Sequence, residues 1–275
     1  MIPGKVVVLR TGALGDFVAT LPVLERLSEG AEELLVIAPA RFRVLFPRAE
    51  QWLDADGIEA ARVIAGRGRL AGFELGLCWT RAAAEGLAGS GVGRVLHGAA
   101  RPPAGVSIYD HLWQPLVDLG VGPRDRDARL RPEPASLAAI DQRLRGARPV
   151  VLAPGSGGMS KRRPLEFWLR VAGLLTVPVI WCGGPVERAE GGWGTPRWDD
   201  LDLVGLVALA ARSRAWLGMD SGPSHLAAAV GARVGVVFTS ATDPRQWSPP
   251  GAKVFGPEAT PEQLISLAGA GGSPA

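Results

Sequence analysis

The stretch DSGPSH, residues 220–225, crowds an acid, two hydroxyls, a glycine, a proline and an imidazole into six positions. It follows the apolar run AWLGM and opens a small-residue segment, so it reads as a turn between a buried strand and a helix. Pro223 falls in the first helical turn, where its missing N–H costs little. Asp220 or Ser221 can cap that helix beside Gly222, leaving other first-turn amides for an anion. A single histidine in such a place is more often packed than catalytic, so both readings of His225 stay open. The chemistry that suits this cluster is the binding of a phosphate.

Four other loops carry comparable content. APGSGGMSKRRPLEFW, residues 153–168, sets Ser156, Gly157 and two more glycines between a buried strand and three consecutive cations. Backbone N–H groups at such a turn suit an anion. The loop is close to a nucleotide-binding P-loop, but Ser160 replaces the second glycine and Arg162 replaces the magnesium-binding hydroxyl. Lys5, Lys161 and Lys253 are the only lysines in a chain rich in arginine, which singles out Lys161 as a wanted ammonium. RTGALGD, residues 10–16, offers Gly12 and Gly15 for a tight turn, and Asp16 as either a helix cap or an acid–base group. Its G-x-x-G spacing is not the dinucleotide fingerprint, and the single tyrosine, Tyr109, lacks a lysine four residues on. In TSATDPRQWSP, residues 239–249, Thr242 and Asp243 form a turn at a strand end. In WCGGPVERAE, residues 181–190, Glu187 reads either as a ribose hydrogen-bond acceptor or as a solvated helix residue.

These loops need elements that bring them together. Strand-like runs lie at 5–10, 34–38, 73–79, 93–98, 149–153, 177–182, 215–219 and 233–238, and helical patterns at 16–30, 108–120, 135–146, 165–176, 205–213 and 222–230. The runs are continuously apolar rather than alternating, as in a parallel sheet covered on both faces. The expected fold is α/β, with two doubly wound Rossmann-like domains facing across a cleft. The polar, proline-bearing residues 121–148 are the expected connection, dividing the chain into domains 1–145 and 146–275. The last residues, AGAGGSPA, read as disordered.

The chain of 275 residues is long enough for two such domains, and its net charge of +3 is too small to argue for a nucleic-acid partner, so none is expected. Cys78 and Cys182 sit inside apolar runs and read as buried thiols, with no metal or disulfide framework. No stretch is long and apolar enough to span a bilayer, and MIPGKVVVLR runs straight into a strand, which gives a cytoplasmic expectation.

Taken in order, VVVLRTGALGDFVATLPVLERL, LAPGSGGMSKRRPLEFW, WCGGPVE and LVALAARSRAWLGMDSGPSHLAAAVGARVGVVFTSATDP resemble glycosyltransferase family 9, the ADP-heptose:lipopolysaccharide heptosyltransferases. The resemblance implies a GT-B-type architecture with an acceptor-side first domain and a donor-binding second domain. It implies inverting sugar transfer from a nucleotide-diphosphate donor, ADP-linked, to a glycan or glycolipid of lipopolysaccharide biosynthesis, with no metal or cofactor. Asp16 then matches the base, Lys161 the donor-contacting lysine, and Asp220, Ser221, Gly222 and His225 the diphosphate-proximal motif. Ala19 stands where many members carry histidine, and Arg163 where many carry an aromatic residue. A nucleotide-sugar epimerase of the same fold and a non-catalytic nucleotide-sugar-binding protein remain alternatives. A membrane-bound acceptor would bring the first domain onto anionic headgroups at the inner face of the membrane. Arg41, Arg43, Arg48, Arg67 and Arg69 are the candidates there, although scattered arginines are also what a solvated surface carries.

Overall fold

The computed structural model describes residues 2–122 and 130–269 and divides into two compact units, Met1–Ala128 and Arg129–Ala275. The first unit runs β1 (Lys5–Leu9), α1 (Leu14–Ser28), β2 (Glu33–Ala38), a 3-10 turn (Ala40–Leu45), β3 (Gln51–Asp54) and α2 (Ile58–Ile64). It continues with β4 (Leu75–Cys78), α3 (Arg81–Gly89), β5 (Arg94–His97), α4 (Ile108–His111) and a second 3-10 turn (Gln114–Leu119). Its strands are all parallel, in the order β3-β2-β1-β4-β5. Val6, Val7 and Val8 are fully buried, as the uninterrupted apolar run requires of a strand covered on both faces. Val7 and Leu9 pack with Ala60 and Val63 of α2 and Ala83 and Leu87 of α3 on one side.

The second unit opens with α5 (Pro134–Leu144), β6 (Val150–Ala153), a 3-10 turn (Met159–Lys161), α6 (Leu165–Leu174), β7 (Val179–Trp181) and α7 (Pro185–Glu190). Then come α8 (Leu203–Arg212), β8 (Ala215–Met219), α9 (Gly222–Ala229), β9 (Val234–Val237), α10 (Pro244–Trp247), β10 (Lys253–Phe255) and α11 (Pro261–Gly269). These strands are also parallel, in the order β10-β9-β8-β6-β7. Trp168 and Val171 of α6 and Leu264 of α11 pack against Val150, Leu152, Leu217 and Val237. Val151 and Trp216, one residue out of phase, therefore point to the opposite sheet face.

In each sheet the chain leaves its first strand towards one edge and later returns to the other side of it. The reversals fall between β1 and β4 and between β6 and β8. Strand-end loops diverge at such a point and leave a crevice outside the carboxyl ends. Each unit therefore has one place where its own fold prepares a site.

Several expectations change. The helix anticipated over 108–120 is α4 followed by a 3-10 turn, since Pro115 removes a backbone donor and disfavours an α conformation just before it. The units divide at 128/129 rather than 145/146, because α5 packs on α8 within the second unit. Ile140 and Leu144 are buried, and Arg212 grips the Asp141 carboxylate at 2.6 and 2.8 Å. That ion pair is exposed, so the apolar contact is the stronger anchor. Residues 123–129 of the expected connection, and 270–275 of the tail read as disordered, lie outside the described residues; α11 extends through Gly269. Beyond β7, Trp181 pairs with the segment around Arg197 and closes that sheet edge. None of the described helices is long and apolar enough to cross a membrane.

Two outcomes follow from this packing. A Cβ on Gly218 would lie 2.8 Å from Ser224 Oγ and 3.0 Å from the Ala153 carbonyl. Gly218→Ala is expected to lower unfolding free energy by about 1–3 kcal/mol, read as an earlier urea midpoint. Burial pushes the thiol of Cys78 up to about 11 and that of Cys182 up to about 12, from an ordinary value of 9.0. Neither is expected to react with a thiol reagent at pH 8 until the chain is unfolded. An unfolded thiol ionises at the lower pH, so stability from both is present below pH 9 and declines as pH rises towards 11 and 12.

Candidate functional site

The carboxyl end of the second sheet is organised around one acid. Asp220 directly follows β8 and is 4% exposed. Its Oδ2 accepts from Lys161 Nζ at 2.9 Å and from Thr242 Oγ1 at 2.8 Å. Its backbone carbonyl accepts from Ser156 Oγ at 2.8 Å. The loops after β6, β8 and β9 are thereby joined at one residue. Thr239 adds a second tie, donating from Oγ1 to the Ser160 carbonyl at 2.9 Å. A carboxylate this buried is tolerated only when paired and hydrogen-bonded, and these contacts meet that need.

The capping expectation is corrected here. Ser221 occupies the N-cap position of α9, yet its side chain makes no capping bond. The Asp220 carboxylate turns instead to Lys161 and Thr242. Ser224 instead donates from Oγ to the Met219 carbonyl at 2.7 Å and lies 3.4 Å from Ser221 Oγ. Gly222 and Pro223 form the first turn of α9, and His225, one turn in, is buried.

The loop after β6 is fixed from below. Arg162 donates from Nε and Nη2 to the Ser156 carbonyl at 3.0 and 2.9 Å, and from Nη2 to Glu187 Oε1 at 2.7 Å. Glu187 is 7% exposed, so the solvated-helix reading of that residue fails. Its Oε2 accepts from the Gly184 N–H at 2.8 Å, half of a capping box for α7. A side chain at Gly157 would meet nothing within 4 Å, so packing does not demand that glycine and the face of the loop is open. Asp243 stands apart from this centre. It caps α10 through the Arg245 N–H at 2.9 Å and pairs with the Arg245 guanidinium. Those hydrogen bonds hold its carboxyl below the usual range.

At the reversal point of the first sheet, Asp16 is not an N-cap but the third residue of α1. It reaches back so that Oδ2 accepts from the Ala13 N–H at 3.0 Å. Its Oδ1 accepts from Arg10 Nη2 at 3.0 Å. Arg10 lies over the Trp79 ring at 5.2 Å, and its side chain is only 8% exposed. Burial pulls the Arg10 guanidinium down, and Asp16 opposes that. A Cβ on Gly12 would come within 2.6 Å of Asp16 Cβ, so the turn closes only over a glycine. Gly15 lies within the first turn of α1.

Sequence reasoning thus found Lys161, Ser156, Asp220 and Thr242, which the fold brings together. It missed Arg10, Ser224 and Thr239, and noted Arg162 only as a departure from the P-loop pattern. The arrangement in the second unit offers an ammonium with two N–H donors beyond the one given to Asp220, beside an open glycine loop and a helix start. Such a set suits a phosphorylated ligand. Among the described residues, no cluster of three or more His, Cys, Asp or Glu side chains is placed to hold a metal ion.

Residues 199–262, which include Asp220 to His225 and Thr242, match glycosyltransferase family 9 (heptosyltransferase). No curated protein is similar to the chain in sequence. Among solved structures, a family 9 glycosyl transferase from Veillonella parvula superposes with a TM-score of 0.78 at 16% identity, covering 96% of both chains. The ADP-heptose lipopolysaccharide heptosyltransferase II of E. coli gives 0.73 at 17% identity, covering 97% of this chain and 98% of that one. The E. coli heptosyltransferase WaaC, solved with ADP, gives 0.70 at 15% identity, covering 96% and 98%. At these identities the structural likeness is one of fold, GT-B-type with two parallel sheets, and the family match rests on the second unit. The second unit thus carries a segment similar to glycosyltransferase family 9, and the whole chain shares the fold of heptosyltransferase-like structures.

Proposed function

We propose that the protein moves a sugar, heptose first among the candidates, from a nucleotide-diphosphate donor to a hydroxyl of a glycan or glycolipid, with inversion at the anomeric carbon. The observation that carries this reading is the convergence of Lys161, Thr242 and Ser156 on buried Asp220, at the reversal point of the second sheet. In the proposed reaction the acceptor oxygen forms a bond to the anomeric carbon as the bond from that carbon to the diphosphate breaks. Asp16 takes the acceptor proton, and nucleoside diphosphate leaves. Lys161 and the amides of the loop after β6 and of the first turn of α9 balance the negative charge on the departing diphosphate. An ammonium in that position can do the work often given to magnesium. Thr242 and Ser156 keep Asp220 in place, and Ser221, Gly222 and His225 form the adjoining surface of the donor site.

The ADP form of the donor is supported by the nucleotides that the similar structures contain, ADP itself in the WaaC structure. For the acceptor, Arg41, Arg43, Arg48, Arg67 and Arg69 are all exposed on the first unit and suit an anionic headgroup surface.

Titration of ADP into the protein by calorimetry is expected to show binding that is unchanged by magnesium. Lys161→Ala should weaken that binding about 10–100-fold, the worth of one hydrogen bond to a charged group. Preference for UDP or GDP would overturn the ADP assignment, and binding of none of the three would remove the nucleotide reading. Asp16→Asn should leave ADP affinity intact while lowering acceptor-dependent ADP release from ADP-heptose by about 10²–10⁴-fold. Unchanged turnover in that variant would reduce Asp16 to a helix-capping group, and turnover that needs no acceptor would favour the epimerase.

A further inference from the structure

Arg162 stands where a P-loop would place a magnesium-binding hydroxyl, and its guanidinium does something different. The side chain is 12% exposed and lies beneath the loop after β6. Two of its nitrogens converge on one acceptor, the Ser156 carbonyl, at 3.0 and 2.9 Å, while Nη2 also meets Glu187 Oε1 at 2.7 Å. Glu187 is held in turn. Its second oxygen is on the Gly184 N–H, a Cβ at Gly155 would fall 2.6 Å from its Cδ, and a Cβ at Gly183 would fall 2.8 Å from its Cβ. Two glycine turns therefore close directly over this side chain, Gly155 at its carboxyl and Gly183 at its root. Ser156, whose carbonyl Arg162 grips, uses its hydroxyl to hold the Asp220 carbonyl. One residue thus separates the Arg162–Glu187 pair from the Lys161–Asp220 centre.

We infer that Arg162 is a positioning residue, which holds the loop 154–161 so that Lys161 and the loop amides face the phosphates, with Glu187 as its anchor. This gives Glu187 a supporting role in place of contact with a ribose. The inference rests on the nucleotide reading above. A lysine cannot reproduce it: an ammonium can face Glu187, but it lacks the planar fork that places Nε and Nη2 on one carbonyl.

The test is calorimetric titration of ADP and of adenosine into wild type, Arg162→Lys and the double variant Arg162→Met with Glu187→Gln. The double variant removes both charges, so neither is left buried alone. Thermal unfolding checks that each chain is folded at the titration temperature. Both variants are expected to lose about tenfold or more in ADP affinity, as a small misplacement of positioning groups can cost. Adenosine affinity should hardly change, so the advantage of ADP over adenosine shrinks by the same factor. A purely architectural role would weaken both ligands together, and that result overturns the inference. Wild-type ADP affinity in a folded Arg162→Lys also overturns it while leaving the nucleotide reading intact. A folded wild-type chain that binds no ADP removes that reading and the inference with it.

Discussion

The Asp220 carboxylate is nearly withdrawn from water, and Lys161 and Thr242 approach it from two other loops to satisfy it there. Each contact therefore has two effects. It satisfies a group whose unpaired burial would cost several kcal/mol, and it fixes the loop that supplies the donor. The strand ends of the second sheet differ in length and residue type, yet they are brought to one geometry by this requirement. A positive charge and a glycine-lined backbone end up next to a helix start without any of them being designed by local sequence alone.

The first unit solves a related problem with different parts. Asp16 is held on both oxygens, by Arg10 and by the Ala13 N–H, where Asp220 takes both of its side-chain contacts on one, and Arg10 itself lies over Trp79. Both units thus place an oriented carboxylate at the reversal point of a parallel sheet. In one the carboxylate is only partly covered, and in the other it is almost fully enclosed. That difference in exposure suits the two roles proposed for them, since a group that exchanges a proton with a ligand has to be reached and a group that holds a lysine does not.

The alternation of strands and helices was legible because both sheets are covered on both faces, so Val6–Val8 and Val150–Leu152 read as unbroken apolar runs. The edge strands β3 and β10 were not, being three or four residues long and bounded by Gln51, Asp54 and Lys253. The small, alanine-rich α3 left a similarly faint pattern. The affiliation of α5 was hidden because its anchors are two buried residues in an otherwise polar helix. Of the site, Asp220, Lys161 and Thr242 could be read from turn chemistry at strand ends. Arg162 and Glu187 could not be paired in advance: they are 25 positions apart, and sequence does not say which arginine meets which acid. Asp243 looked equally suitable and was claimed by its own helix and by Arg245 instead.

Gly12 and Gly155 are each pressed against an acid, Asp16 in one unit and Glu187 in the other. The absence of a Cβ lets the turn descend until the carboxylate has almost no room to rotate. Rotamer freedom in both side chains is therefore surrendered when the chain folds, well before any ligand arrives. A molecule entering either crevice meets groups with little disorder left to lose, and its binding entropy is correspondingly less unfavourable.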